Sequence, residues 1–236
     1  MLSRRLSSVK QTGLSLVELL VGITVGLFIV AAAAMLMATQ LGENRKLLLE
    51  TQLQQDLRAT VDIITREVRR AGYWKDAENG VWSPSANPTA NTFSEVKISG
   101  GTRVEYGYTK PDGAPVPFQY RLDNGVIKTI LASNTSEQDL TDNKVMFVKK
   151  LEIAQVTSSA VILSCPKSCP APSVPPNAPF TTVNWCWPTF EIREILVKIT
   201  GKSLSDVAVE RTVSTRTRLR NDHVTFHPSS PAGCPA

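Results

Sequence analysis

The sequence predicts an α+β fold in which one long N-terminal helix, half of it apolar all round and half of it striped, packs on an antiparallel sheet. Three observations lead there. From Leu19 to Ala38 there is no charged side chain, and only Thr24 is polar. The apolar run then gives way to Leu49, Leu53, Leu57, Val61, Ile64 and Val68, at intervals of three and four residues, which is one face of a helix. Beyond Gly72 the periodicity changes to short two-residue alternations separated by turn-forming residues.

The first segment, residues 1–13, is polar and basic and ends at Gly13. The second, residues 14–41, supplies about twenty consecutive apolar residues, and at 1.5 Å per residue such a helix covers about 30 Å, the hydrocarbon thickness of a bilayer. Arg4, Arg5 and Lys10 precede it with no acid among them, which places the N-terminus on the cytoplasmic side and the remainder on the other. Two plainer readings exist: a secretory signal peptide cut near Ala31–Ala34, and a simple membrane anchor. The apolar core is longer than the about 7–15 residues usual in a signal peptide, and Glu18 argues against a plain anchor, because a carboxylate inside an apolar run is costly unless it is protonated, snorkelling or paired. If the chain is cut after Gly13, Leu14 carries a new amine and Glu18 becomes the fifth residue. An amine and a carboxylate from adjacent subunits would then neutralise each other and set the register of a helical bundle.

The run Gly13-Leu14-Ser15-Leu16-Val17-Glu18-Leu19-Leu20-Val21 resembles the class III signal of type IV prepilins and type II secretion pseudopilins. That resemblance implies a type IV pilin-like fold, cleavage between Gly13 and Leu14 by a prepilin peptidase, N-methylation of Leu14, and an assembly role for the Glu18 charge. Leu14 stands where the family more often has Phe.

The third segment, residues 42–72, continues the helix, with seven basic and seven acidic side chains over residues 43–78. A helix from Leu14 to Ala71 would span roughly 87 Å. Gly72, after Arg69, Arg70 and Ala71, reads as its stop. A coiled coil is the structural rival for covering the stripe. The helix ending Arg66-Glu67-Val68-Arg69-Arg70-Ala71-Gly72-Tyr73 resembles that of PilW-like minor pilins, as does the segment Arg211–Asn221. This implies a low-copy subunit that helps start a type IV pilus near its tip, on which twitching motility, adhesion and DNA uptake depend. The implied partners are other minor pilins and the major pilin through the N-terminal helix, the prepilin peptidase, an inner-membrane assembly platform and a tip adhesin. The implied location is the inner membrane, single-pass with the head periplasmic, and then the pilus surface. Two alternatives remain open: a J-type minor pseudopilin of type II secretion, and an anchored binding module that never polymerises.

Residues 73–236 form the head. Residues 74–94 read as loop. Strands are expected at Val96–Ile98, Arg103–Tyr108, Pro117–Leu122, Val126–Leu131, Val145–Val148, Leu151–Val156, Ala160–Ser164, Ile192–Ile199, Thr212–Leu219 and Val224–Phe226, with Asp123-Asn124-Gly125 as a hairpin turn. Seven prolines between Cys165 and Pro188 forbid a central strand there and predict a stiff exposed loop. Cys165, Cys169, Cys186 and Cys234 lie on the oxidising side of the anchor and are disulfide candidates, with three pairings open. The pairing favoured is Cys165–Cys169 with Cys186–Cys234, the latter tying the proline loop to the C-terminus.

The chemistry of an enzyme is not evident. His223 and His227 are the only histidines and lie in no metal motif, and there is no phosphate loop or nucleophile elbow. No cofactor or metal is expected. The formal charge of +5 falls to +2 once residues 1–13 are removed, so direct nucleic-acid binding is not expected. Arg66, Arg69 and Arg70 read as the solvated end of a helix, with a polyanion contact as the rival reading.

Overall fold

The computed structural model describes residue 13 and residues 15–80, 91–110, 115–131, 136–169 and 184–225. Contacts divide the chain into two compact units that meet at Leu48 and Leu49. One helix, α1 (Leu16–Val68), contributes to both.

In the first unit α1 buries nothing: the side chains from Leu16 to Leu48 are exposed. A helix apolar on every side has no core of its own to cover it. Its two threonines direct their hydroxyls back to the helix, Thr24 to the Val21 carbonyl at 2.9 Å and Thr39 to the Met35 carbonyl at 3.0 Å, so neither leaves an unsatisfied donor.

The second unit begins where the stripe does. Leu53, Leu57, Val61, Ile64 and Val68 are all buried, and Leu49 is half-buried. The head's own strands cover them, so a partner helix is not needed to do so. The described residues form eleven strands: β1 (Lys97–Ser99), β2 (Arg103–Thr109), β3 (Pro115–Asp123), β4 (Val126–Leu131), β5 (Gln138–Asp139), β6 (Met146–Thr157), β7 (Val161–Ile162), β8 (Thr189–Glu191), β9 (Arg193–Ser203), β10 (Glu210–Arg218) and β11 (His223–Thr225). Among the described residues all pairings are antiparallel, in three sheets of order β1-β2-β3-β4-β5, β10-β9-β6 and β11-β8-β7.

The two larger sheets abut at turns instead of pairing along an edge. Gly101, in the turn before β2, and Gly125, in the β3–β4 turn, present carbonyls to the β6 amides of Ile153 (2.7 Å) and Val148 (2.8 Å). The Val148 amide is available because β6 carries a bulge there: Val148 faces Gly201 and Lys150 faces Thr200, which leaves Lys149 unpaired. At the β3–β4 turn, Asn124 (φ 49°) and Gly125 (φ 81°) both take positive φ, as a two-residue hairpin turn requires. Pro115 and Pro117 lie on the stretch of β3 beyond the end of β4, where a missing amide breaks no second ladder.

Several strands run longer than the alternation indicated. The segments expected at Val145–Val148 and Leu151–Val156 are one strand bent by the bulge. β5 and β8 were not anticipated, since two or three residues without clear alternation carry no periodic signal. The end of the last expected strand, Phe226, lies outside the described residues.

Cross-strand aromatic pairs fill the first sheet's inner face. Tyr106 lies opposite Phe118 with ring centroids 5.4 Å apart, and Tyr108 stacks on Phe118 at 4.4 Å. Burial pushes the Tyr106 and Tyr120 phenols up from their ordinary range.

Candidate functional site

Two regions carry the features singled out in the sequence. The first is the start of α1. Gly13 is exposed, Leu14 lies outside the described residues, and the Ser15 carbonyl accepts the Leu19 amide at 3.1 Å as the helix begins. Glu18 sits exposed in the first turn, where a negative charge is favoured by the helix dipole. Among the described residues no basic side chain pairs with it. One helix of the described chain is long and apolar enough to cross a membrane, and the apolar window that qualifies it is unburied throughout, which supports a single-pass topology.

The second region is the end of α1, which the head grips through its backbone. Gly72 takes φ +79° and donates its amide to the Gly107 carbonyl at 3.0 Å, while the Thr109 amide donates to the Tyr73 carbonyl at 2.8 Å. The segment after β10 closes on the same place: the Arg220 amide donates to the Arg69 carbonyl at 3.0 Å, and Asn221 Nδ2 to the Ala71 carbonyl at 3.1 Å. Asn91 Nδ2 donates to the Gly72 carbonyl at 2.9 Å. The two short stretches that resemble PilW-like proteins thus meet in space.

Beneath this junction Arg193 is buried. Its guanidinium donates to the Ser94 carbonyl and, at 3.2 Å, to the Asn221 carbonyl. Burial draws its pKa down, and the Asp222 and Glu191 carboxylates work in the opposite direction. His223 is half-buried nearby in β11, and burial, followed by the Arg193 charge, lowers its pKa. It lies in a strand, consistent with a packing position; His227 lies outside the described residues. Sequence inspection missed Arg193, whose burial is visible only once β9 is placed.

The cysteines correct the favoured pairing. Cys169 bonds to Cys186, with Cα atoms 5.6 Å apart, instead of Cys165 to Cys169 and Cys186 to Cys234. Spacing in sequence does not decide the pairing: the Cys169 sulfur faces the far side of the proline-rich loop, where the Cys186 amide also donates to it at 2.8 Å. Cys165 is disulfide-bonded as well, and Cys234 lies outside the described residues. The Cys169–Cys186 bond closes a loop of sequence separation 17, for which chain entropy gives about 3 kcal/mol of stabilisation. Replacing both cysteines by serine is expected to lower the urea midpoint of the full chain in nonionic detergent by a corresponding amount. An unchanged midpoint would show that the bond does not stabilise the head.

Among the described residues no three His, Cys, Asp or Glu side chains converge to hold a metal ion.

An exposed apolar helix that runs on as the buried spine of an antiparallel head defines the pilin-like class of filament subunits. The model of the family described as prepilin peptidase-dependent protein B matches residues 46–219, and the chain belongs to that family. This places it in the prepilin and pseudopilin superfamily, whose members are structural and not catalytic, with a general role in pilus or pseudopilus assembly that depends on the prepilin peptidase and the assembly machinery. The matched residues exclude the leader, so the leader-like signal at Gly13–Val21 and the family match are independent of each other. No curated protein and no solved structure matches the chain.

Proposed function

We propose that the chain is a minor, low-copy subunit that helps start assembly of a thin extracytoplasmic filament. The observation that carries this reading is the division of α1. Its first half exposes apolar side chains on every face, with one carboxylate, Glu18, in the first turn, and its second half is the core of the head. Such a helix rests in lipid before assembly and among other helices afterwards, dry in both places. In this reading the peptidase cuts between Gly13 and Leu14, the Leu14 amine is methylated, and Glu18 neutralises an amine of a neighbouring subunit. The segment divisions are then leader 1–13, assembly helix 14–41, amphipathic helix 42–72 and head 73–236.

Of the two filament types, the family match gives a secretion pseudopilus the better support, because the matched family is pseudopilin-like. The PilW-like reading, with a place near a pilus tip, draws support from the contact between the helix ending and Arg220-Asn221. Deleting the gene separates them: loss of exoprotein secretion with normal piliation supports the pseudopilus, and the reverse supports the pilus.

The processing step has a direct test. Mass spectrometry of the protein from membranes or filaments is expected to find an N-terminus at methylated Leu14. An intact leader on the assembled protein would overturn the proposal, since no amine would then exist at that position.

A further inference from the structure

Four arginines meet at the end of α1. Arg66, Arg69 and Arg70 come from its last turn and the turn that follows, and Arg220 comes from the residues after β10. Among the described residues these four alone line an open cavity of about 320 Å³. Their charges are not used to cap the helix. The carbonyls of Thr65, Glu67, Val68, Arg69 and Arg70 accept backbone amides, and those of Ala71 and Gly72 accept the side-chain amides of Asn221 and Asn91.

Nor are most of them neutralised. Arg70 lies 3.4 Å from Glu67, a carboxylate it shares with the Tyr108 hydroxyl. Among the described residues Arg66, Arg69 and Arg220 have no ion pair, as is also true of Arg45, Arg58 and Arg193, whereas Arg103, Arg211, Arg216 and Arg218 each have one and Arg121 has two. Three exposed, unpaired guanidinium groups on one open cavity offer an anion several cationic partners at once. Guanidinium forks bind carboxylate and phosphate oxygens in a bidentate manner.

The surroundings choose between those two anions. Residues 49–236 carry 21 basic and 19 acidic side chains, so the head lacks the extended positive field that holds a phosphate backbone. Among the described residues no aromatic side chain lines the cavity to stack a base. We propose that Arg66, Arg69, Arg70 and Arg220 form a docking site for a carboxylate-rich segment of a partner protein. In the reading above, that partner is another subunit of the assembly.

The test is a titration of the full-length chain, in nonionic detergent, with a fluorescent hexaglutamate peptide. The variant R66Q/R69Q/R220Q is expected to weaken binding by about tenfold or more. The control K198Q/R216Q/R218Q removes the same charge from exposed, paired positions and is expected to leave binding unchanged, with both variants melting as the parent does. Arg66→Gln alone, on the exposed helix face, is expected to give a partial loss. Equal weakening by the triple variant and its control, or none by either, would overturn the site. So would tighter binding of a short DNA duplex than of the peptide at the same salt, which would make the partner a nucleic acid. The titration needs no filament, so its failure would leave the assembly reading standing, and a failure of that reading would not alter the titration.

Discussion

Leu57→Ala is expected to destabilise the head by about 2–5 kcal/mol, the range for removing a fully buried leucine side chain. Leu57 has no exposed surface and sits at the centre of the buried stripe on α1. Its contact on the sheet is unusual. Gly201 of β9 has no side chain, and a Cβ built there would lie 3.0 Å from Leu57 Cδ2 and 3.6 Å from the Phe147 carbonyl oxygen. The leucine therefore fills a notch that only glycine leaves open, beside the β6 bulge where Lys149 drops out of the ladder. Neighbours so closely packed relax little, which puts the expected loss in the upper part of the range. Gly201→Ala alone should also destabilise, by crowding Leu57. Combined, the two changes should lose less than the sum of the single losses, because the added methyl enters the space the leucine vacates. Chemical denaturation of the four proteins measures this. Strict additivity would mean that Leu57 and Gly201 do not share one packing site.

Glu18→Ala is expected to leave leader processing and membrane insertion intact while abolishing assembly. Removing a carboxylate from an apolar segment does not hinder insertion, since ionised acids in membrane helices are costly. The loss falls on the assembled state. In the proposed pairing, the variant leaves a neighbour's amine buried without its counter-charge, and breaking a buried pair from one side costs about 3–5 kcal/mol. Glu18→Gln should fail similarly, because it keeps the shape and removes the charge. The measurements are the mature N-terminal mass, which should match the parent, and the yield of partner subunits recovered with the tagged protein, which should collapse. Normal recovery with either variant would refute the pairing and leave Glu18 as a residue of the anchor only.

Much of this architecture can be read from the chain because it is periodic or local. The spacing from Leu49 to Val68 identifies the buried face of α1, and those residues are the ones the strands cover. Asn124-Gly125 marks a turn whose backbone needs positive φ at both positions. Gly72 marks the place where the chain leaves the helix, and its φ of +79° shows why. The apolar run and Glu18 likewise depend only on which residues stand next to one another.

Tertiary structure alone decided the rest, and in each case the cause is a contact between residues far apart in sequence. Ten expected strands give no hint of the three sheets among the described residues, because strand partners are set by long-range pairing, and the outer edge of β6 bonds turn carbonyls at Gly101 and Gly125 instead of another strand. The disulfide joins Cys169 to Cys186 across a loop instead of Cys165 to its near neighbour, because the direction of a sulfur is set by the fold and not by spacing. Arg193 is buried although its type is usually exposed, because carbonyls from Ser94 and Asn221 converge on it. Arg220 joins the arginines at the helix end, 150 residues away in the chain, only because its amide caps Arg69. Local sequence fixes what a segment can be; which of its groups remain unsatisfied, and so available to a partner, is settled only when distant segments have taken their places.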